Sequence, residues 1–166
     1  MDAPVAVVER PLVRPAALVL ALAVATIAGA FAFQAAGYAP CELCLKERLP
    51  YYAGIALAVL TLALAWRGPP ALARVGLGLL VVLFLFSAGF GVYHAGVEWK
   101  WWPGPTGCTG AINRPTSNAD FLQQLHSVHV VRCDAVAIRI LGLSLAGWNA
   151  IVSLVIAGLA AAGLRR

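Results

Sequence analysis

The sequence predicts an all-α membrane protein, a four-transmembrane-helix bundle, and three observations lead to this prediction. Of the 166 residues, 61% are hydrophobic and only 11% are charged, which is too little charge for the surface of a soluble domain. The apolar residues collect in four uncharged runs, each about as long as a helix that crosses about 30 Å of hydrocarbon. None of the runs shows the period-two alternation of a membrane β-strand. In chain order, the runs are 16–34, 50–66, 75–93 and 140–164.

The individual runs differ in length and in what flanks them. The first follows Arg14 and Pro15, and a cleaved signal peptide is its alternative interpretation. Three more spans follow it and no small-residue cleavage site precedes a soluble body, which disfavours that alternative. The second run is short, since its 17 residues reach about 25 Å, so we expect its helix to begin before Pro50 or to tilt little. Glycines in the third and fourth runs favour close helix packing, and we expect the whole chain to form one integral membrane domain.

Four spans place both termini on one side of the membrane and the segments 35–49 and 94–139 on the other. Lys and Arg are equally numerous on the two sides. The tight loop from Arg67 to Arg74 and the terminal arginine pair nevertheless favour cytoplasmic termini. The net charge of +5 therefore belongs to the membrane flanks, and we expect a lipid bilayer and no nucleic acid as partner.

All four cysteines fall in the two segments opposite the termini. Cys41 and Cys44 form a C-x-x-C motif before the second span, and Cys108 and Cys133 lie in the longer segment. Disulfides persist in the periplasm, whereas the cytosol keeps thiols reduced. The cysteine placement therefore supports two periplasmic loops and cytoplasmic termini.

The C-x-x-C spacing is typical of redox-active dithiols. We expect the Cys44 sulfur to lie near the positive end of a helix dipole, which favours its thiolate. Arg48 follows four residues later and would place a permanent cation on the same helical face. Two dithiol pairs facing an oxidising compartment suggest an electron relay that ends on a lipid-soluble quinone, whose developing negative charge Arg48 would stabilise.

Other interpretations of the cysteines stay open at this point. One is a small membrane binding or transport protein whose periplasmic disulfides are purely structural. Another is a zinc site built from all four cysteines, although Cys108 and Cys133 lack the close spacing of zinc-ligand pairs. His126 and His129 share a helical face, but no third ligand matches their spacing, so we expect no metal.

The ends of the longer segment offer further candidates. An apolar pattern within 121–128 predicts a short helix on the membrane surface. His94, at the end of the third span, is a candidate to hydrogen-bond a quinone oxygen. We expect Glu98 to be an exposed loop charge and Asn149 and Ser144 to form interhelical hydrogen bonds.

Acidic residues also flank the C-x-x-C motif. Glu42 and Glu47 oppose thiolate formation unless Lys46 and Arg48 offset their charge.

The motif Cys41-x-x-Cys44-x-x-x-Arg48 at the head of the second of four spans, with a later cysteine pair in a long outward loop, resembles the bacterial disulfide bond formation protein B (DsbB) family. The resemblance covers nearly the whole chain beyond the first dozen residues. Further segments that resemble the family are 91–99, 102–105, 131–134 and 141–144.

This resemblance implies an inner-membrane thiol:quinone oxidoreductase that reoxidises a DsbA-like periplasmic dithiol oxidase and reduces ubiquinone or menaquinone. It implies that the partner attacks Cys108, which is paired with Cys133, and that Cys133 then exchanges with Cys41. Cys44 would then be the thiolate that faces the quinone, and Arg48 would bind or polarise the quinone.

Overall fold

The computed structural model describes residues 11–105, 117–118 and 131–166. Within these residues, four helices are long and apolar enough to cross a membrane, and a two-stranded antiparallel hairpin precedes the last of them. The predicted all-α, four-helix membrane protein is therefore confirmed. The elements are α1 Val13–Ala35, α2 Glu42–Arg67, α3 Pro70–Glu98, β1 Arg139–Ile140, β2 Leu143–Ser144 and α4 Leu145–Leu164.

Helices α2 and α3 extend beyond the predicted spans 50–66 and 75–93, and both extensions reach the cysteine-bearing end of the bundle. The expectation that the second helix begins before Pro50 is confirmed, because α2 starts at Glu42 and continues through the proline. Charged residues such as Glu, Lys and Arg are good helix formers, so a helix continues where its uncharged run stops. The predicted loops 35–49 and 94–139 are shortened accordingly.

The fourth predicted span, 140–164, begins too early. Its first residues form the hairpin, in which Ile140 pairs with Leu143 across a two-residue turn. Both turn residues have positive φ, 52° at Leu141 and 84° at Gly142, as a tight hairpin turn requires. Ser144 then caps α4 by accepting the Gly147 backbone N–H at 3.2 Å. Its side chain also hydrogen-bonds Glu98 of α3, in agreement with the predicted interhelical bond.

Close helix packing depends on some of the glycines. A Cβ atom at Gly91 of α3 would lie 2.9 Å from the backbone nitrogen of Ala150 in α4, and one at Gly76 would overlap the Thr61 hydroxyl of α2. At Gly89 a Cβ atom would meet nothing within 4 Å. The packing role predicted for the glycines therefore holds for those on the inner faces of the helices.

The bundle buries a small core and exposes an apolar exterior. Leu77, Leu80 and Phe84 of α3 are fully buried, whereas Val82 and Phe86 of the same helix are 67% and 65% exposed. This distribution suits a helix with lipid on its outer face. The predicted surface helix within 121–128, together with Cys108, His126 and His129, lies outside the described residues.

Candidate functional site

The C-x-x-C motif lies at the N-terminus of α2, where Cys41 is the capping residue. Its backbone is extended (φ −74°, ψ 173°), and its Sγ accepts the Cys44 backbone N–H at 3.2 Å. The positive end of the helix dipole therefore acts most directly on Cys41. Cys44 lies within the first turn of α2, as expected of a sulfur near the positive end of the helix dipole, but the capping position belongs to Cys41.

The pKa of the Cys41 thiol is lowered, so that its thiolate is favoured. The main cause is the hydrogen bond from the Cys44 side chain, and contacts with His94 and with the Cys44 backbone add to it. Burial of the sulfur opposes the shift but does not cancel it. Cys41 is therefore the more acidic thiol expected of a reactive dithiol.

Cys133 lies beside this motif. It is disulfide-bonded and only 1% exposed, whereas Cys41 and Cys44 are free thiols. Cys133 shares one buried cluster with Cys41, Leu43 and Val97, against which Cys44 also packs. Three of the four predicted cysteines therefore meet at one end of the bundle, and the fourth lies outside the described residues.

His94 of α3 bridges Cys41 and Glu47. Its Nε2 lies 3.6 Å from Cys41 Sγ, and its Nδ1 lies 2.9 Å from Glu47 Oε1. Both side chains are buried, with 2% of His94 and 8% of Glu47 exposed. The Glu47 carboxylate accepts the Nδ1 proton, which leaves Nε2 to exchange a proton with the sulfur.

The structure gives Glu47 a different role from the one that the sequence predicts. In the sequence it stands as an acidic charge that opposes the thiolate, but in the structure it is paired with a ring nitrogen from another helix. Helical spacing could have indicated the inward position of Glu47. Because α2 starts at Glu42, Cys44, Glu47 and Tyr51 lie at i, i+3 and i+7 and therefore on one face of the helix. The predicted span 50–66 leaves Cys44 and Glu47 outside the helix, so the pattern is not apparent from the sequence.

A cavity of about 280 Å³ opens beside the cysteines. Most of its wall is apolar and comes from α1, α2, α4 and the 131–138 segment. Cys41, Cys44, Arg48 and His94 all line it. The structure therefore places four of the six sequence-predicted site residues around one largely apolar cavity, of the kind that binds small molecules.

Arg48 is held against the end of α1. Its Nη1 donates to Gln34 Oε1 at 2.9 Å, its Nη2 donates to the Ala30 carbonyl at 3.5 Å, and its guanidinium lies 5.0 Å from the Phe31 ring centroid. A cation at a helix C-terminus interacts favourably with the helix dipole. These contacts fix the guanidinium at the cavity wall.

A polar cluster lies deeper in the bundle, on the cavity side of α4. The Tyr51 hydroxyl donates to Asn149 Oδ1 at 2.8 Å and lies 2.9 Å from Ser153 Oγ, which in turn donates to Ser87 Oγ at 3.0 Å. The interhelical hydrogen bonding predicted for Asn149 is therefore confirmed. Asn149 also lines the cavity, and its buried Nδ2 has no hydrogen-bond partner among the described residues.

Glu98 also lines the cavity and lies one helical turn beyond His94 on α3. Its Oε2 is buried and has no hydrogen-bond partner within the described part of the chain. The expectation that Glu98 is an exposed loop charge is therefore wrong, because α3 continues to this residue and turns it inward.

Comparisons with known proteins identify the family. The model of the disulfide bond formation protein DsbB family matches residues 13–163, nearly the whole chain. An uncharacterized protein of Rickettsia prowazekii (strain Madrid E), RP370, is 29% identical over 119 residues, which cover 70% of this chain and 66% of that protein. The chain thus spans slightly less than two thirds of this relative's length, and no solved structure matches it. Because the family model covers four membrane-spanning helices and the C-x-x-C motif, this chain belongs to the DsbB family of disulfide bond formation membrane proteins.

Proposed function

We propose that this protein is an inner-membrane thiol:quinone oxidoreductase that reoxidises a DsbA-like periplasmic dithiol oxidase and passes the electrons to ubiquinone or menaquinone. Membership of a family of oxidoreductases that use quinones supports the proposal. The observation that carries it is the shared buried cluster of Cys41 and disulfide-bonded Cys133, with Cys44 packed against it beside an apolar cavity.

Electrons enter through the second cysteine pair. A thiolate of the partner attacks Cys108, a mixed disulfide forms, and Cys133 leaves as a thiolate. The Cys133 thiolate then attacks Cys41 in a Cys41–Cys44 disulfide, so that a Cys133–Cys41 bond forms and Cys44 leaves with the electron pair. The second thiolate of the partner attacks the mixed disulfide and releases Cys108, which attacks Cys133. The Cys108–Cys133 disulfide forms again, Cys41 leaves as a thiolate, and the Cys41–Cys44 pair is a dithiol. The burial of Cys133 beside Cys41 supports this exchange, because attack requires the two sulfurs to approach without solvent between them.

His94 holds a proton at the reacting sulfur. Its Nε2 takes the Cys41 thiol proton when the thiolate is needed and returns it when the thiol is restored. Glu47 fixes the ring orientation through Nδ1. Both ring nitrogens of His94 therefore have protein partners, Cys41 at Nε2 and Glu47 at Nδ1. The sequence-based prediction that His94 hydrogen-bonds a quinone oxygen stays a prediction.

The cavity residues fit a quinone. A quinone presents two carbonyl oxygens that accept hydrogen bonds and a flat apolar ring. The cavity has largely apolar walls, and Arg48 and Asn149 line it. The Asn149 Nδ2 donor has no acceptor in the part of the chain that the structure describes. A bound quinone supplies the capacity to accept two electrons and two protons from the dithiol. Arg48 and Asn149 would hold it, and the surrounding apolar side chains would exclude water.

The arrangement of the helix ends supports periplasmic cysteines and cytoplasmic termini. Cys41, His94 and Cys133 share one end of the bundle, and Arg67 and Arg74 flank the short turn at the opposite end. Arginines in short loops are enriched on the cytoplasmic side.

The test is quinone reduction by the full-length protein in detergent, supplied with a reduced DsbA-like oxidase and a short-chain ubiquinone analogue. The wild type is expected to reduce one quinone per dithiol oxidised, and C41S and C44S are expected to abolish turnover. Lys46→Ala serves as the matched control, because Lys46 lies in the N-terminal part of α2, is exposed and pairs with the exposed Glu42. Equal disulfide formation in cells carrying C41S and wild type, with no quinone reduction in vitro, would favour purely structural disulfides instead.

A further inference from the structure

We propose that the reduced Cys41–Cys44 dithiol and His94 form a binding site for a thiophilic divalent metal ion of the zinc class. One ligand atom from each residue lies within 4.8 Å of the other two. Two thiolate sulfurs and one imidazole nitrogen are ligands that zinc prefers. The ligand set joins two residues three positions apart at the N-terminus of α2 with a residue near the C-terminus of α3.

The spacing of these atoms already suits a tetrahedral ion. With metal–sulfur and metal–nitrogen distances near 2.3 Å and 2.0–2.1 Å, the sulfur and nitrogen of a tetrahedral site lie about 3.6 Å apart. Cys41 Sγ and His94 Nε2 lie 3.6 Å apart. In the metal-free protein the two atoms share a hydrogen bond, and an ion would replace the proton without moving either backbone.

Glu47 provides the outer support that metal-binding histidines generally have. Its Oε1 lies 2.9 Å from His94 Nδ1, the ring nitrogen that faces away from the sulfur. Such a carboxylate fixes the ring orientation and raises the basicity of the ligating nitrogen. Because both side chains are buried, the imidazole is held in the ligating orientation before any ion arrives.

The fourth coordination position faces the cavity. All three ligand residues line it, and so does Glu98, whose buried Oε2 lacks a hydrogen-bond partner among the described residues. That oxygen is available to a water molecule bound to the ion. Two thiolates and two carboxylates in one buried region also favour a divalent cation electrostatically.

Coordination requires the reduced state. Each thiol gives up its proton to solvent when it binds the ion, whereas a Cys41–Cys44 disulfide has no thiolate to offer. A bound ion would therefore hold the pair reduced and compete with electron transfer to an acceptor. The binding itself does not depend on the proposed quinone chemistry, but this inhibitory consequence does.

The test is a titration of the full-length protein in detergent with Co²⁺ as the probe, followed by displacement with Zn²⁺. Thiolate-to-cobalt charge-transfer absorption reports sulfur coordination. A C108S/C133S background restricts the thiols to Cys41 and Cys44, and the wild type is measured in parallel. One ion per reduced chain is expected, and oxidised wild type is expected to give no charge-transfer band.

The supporting carboxylate provides the discriminating variant. Glu47→Gln is expected to weaken metal affinity about 10- to 100-fold, as loss of an outer-shell carboxylate generally does. Glu42→Gln is the matched control, because Glu42 lies on the same helix but is exposed and pairs with Lys46. Equal affinities of the two variants, no band in the reduced protein, or a band in the oxidised wild type would each overturn the proposal. Metal binding by a protein that fails to reduce quinone would support this site and refute only the proposed function.

Discussion

Replacing Arg48 with alanine is expected to weaken quinone use selectively. The guanidinium lines the cavity and is fixed by Gln34, Ala30 and Phe31 of α1, so it meets a ligand without further ordering. A hydrogen bond from a charged group contributes about 1.5–3 kcal/mol, which corresponds to a rise of about 10- to 150-fold in the quinone KM. The KM for the thiol partner is expected to change little, because that partner reacts at the second cysteine pair.

The assay is steady-state quinone reduction with each substrate varied in turn, so that the two KM values are measured separately. Arg67→Ala is the matched control. Arg67 lies at the opposite end of α2, and its guanidinium also lies over an aromatic ring, 5.3 Å from the Trp66 centroid. Its removal therefore costs a similar cation–π contact, about 0.5–1 kcal/mol, without touching the cavity.

An unchanged quinone KM in Arg48→Ala would refute the assignment of this residue to the quinone site. Equal rises in both KM values, or the same change in Arg67→Ala, would indicate a general loss of folding instead. Arg48→Lys refines the result, because it keeps the charge and loses the planar donor fork.

Two further predictions concern packing and disulfide exchange. Gly91→Ala is expected to destabilise the protein by about 1–3 kcal/mol, because the added Cβ would press on the α4 backbone. Gly89→Ala is the control and is expected to cause no such loss, because a Cβ there meets nothing within 4 Å. Thermal unfolding in detergent measures the stability of both variants. In C44S, the Cys41 thiolate is expected to attack Cys133 in the proposed Cys108–Cys133 disulfide, so that a Cys41–Cys133 bond forms and Cys108 leaves as a thiolate; non-reducing peptide mass spectrometry detects the new bond. Failure to trap that bond would contradict the inferred exchange between the two sulfurs.

The fold was predictable because a bilayer leaves few choices. Backbone groups in hydrocarbon must be paired within the segment, so long uncharged runs become helices. The helix ends were less predictable, since loss of apolar character marks the edge of the hydrocarbon and not the end of the helix. Helix α2 therefore starts at Glu42, and α3 continues to Glu98, through charged residues that are themselves good helix formers.

The candidate site was predictable in part. The spacing of Cys41, Cys44 and Arg48 was visible in the sequence, and the structure places all three around one cavity. In the sequence, Glu47 is only an acidic charge beside the motif, and this proximity predicts that it opposes the Cys44 thiolate. Its partner, His94, is 47 residues away in the chain, and no local pattern reveals that pairing.

The sequence by itself determined the membrane class, the number of spans, the grouping of the cysteines and the redox-type spacing of the motif, because each follows from local composition or spacing. The tertiary structure decided that Cys41 is the capping sulfur, that His94 and Glu47 form one buried chain with it, and that Cys133 packs against the motif. Those contacts join α2, α3 and the 131–138 segment. These contacts depend on how the helices pack against one another and on where each helix ends. Residue spacing along the chain determines neither the packing nor the helix ends directly.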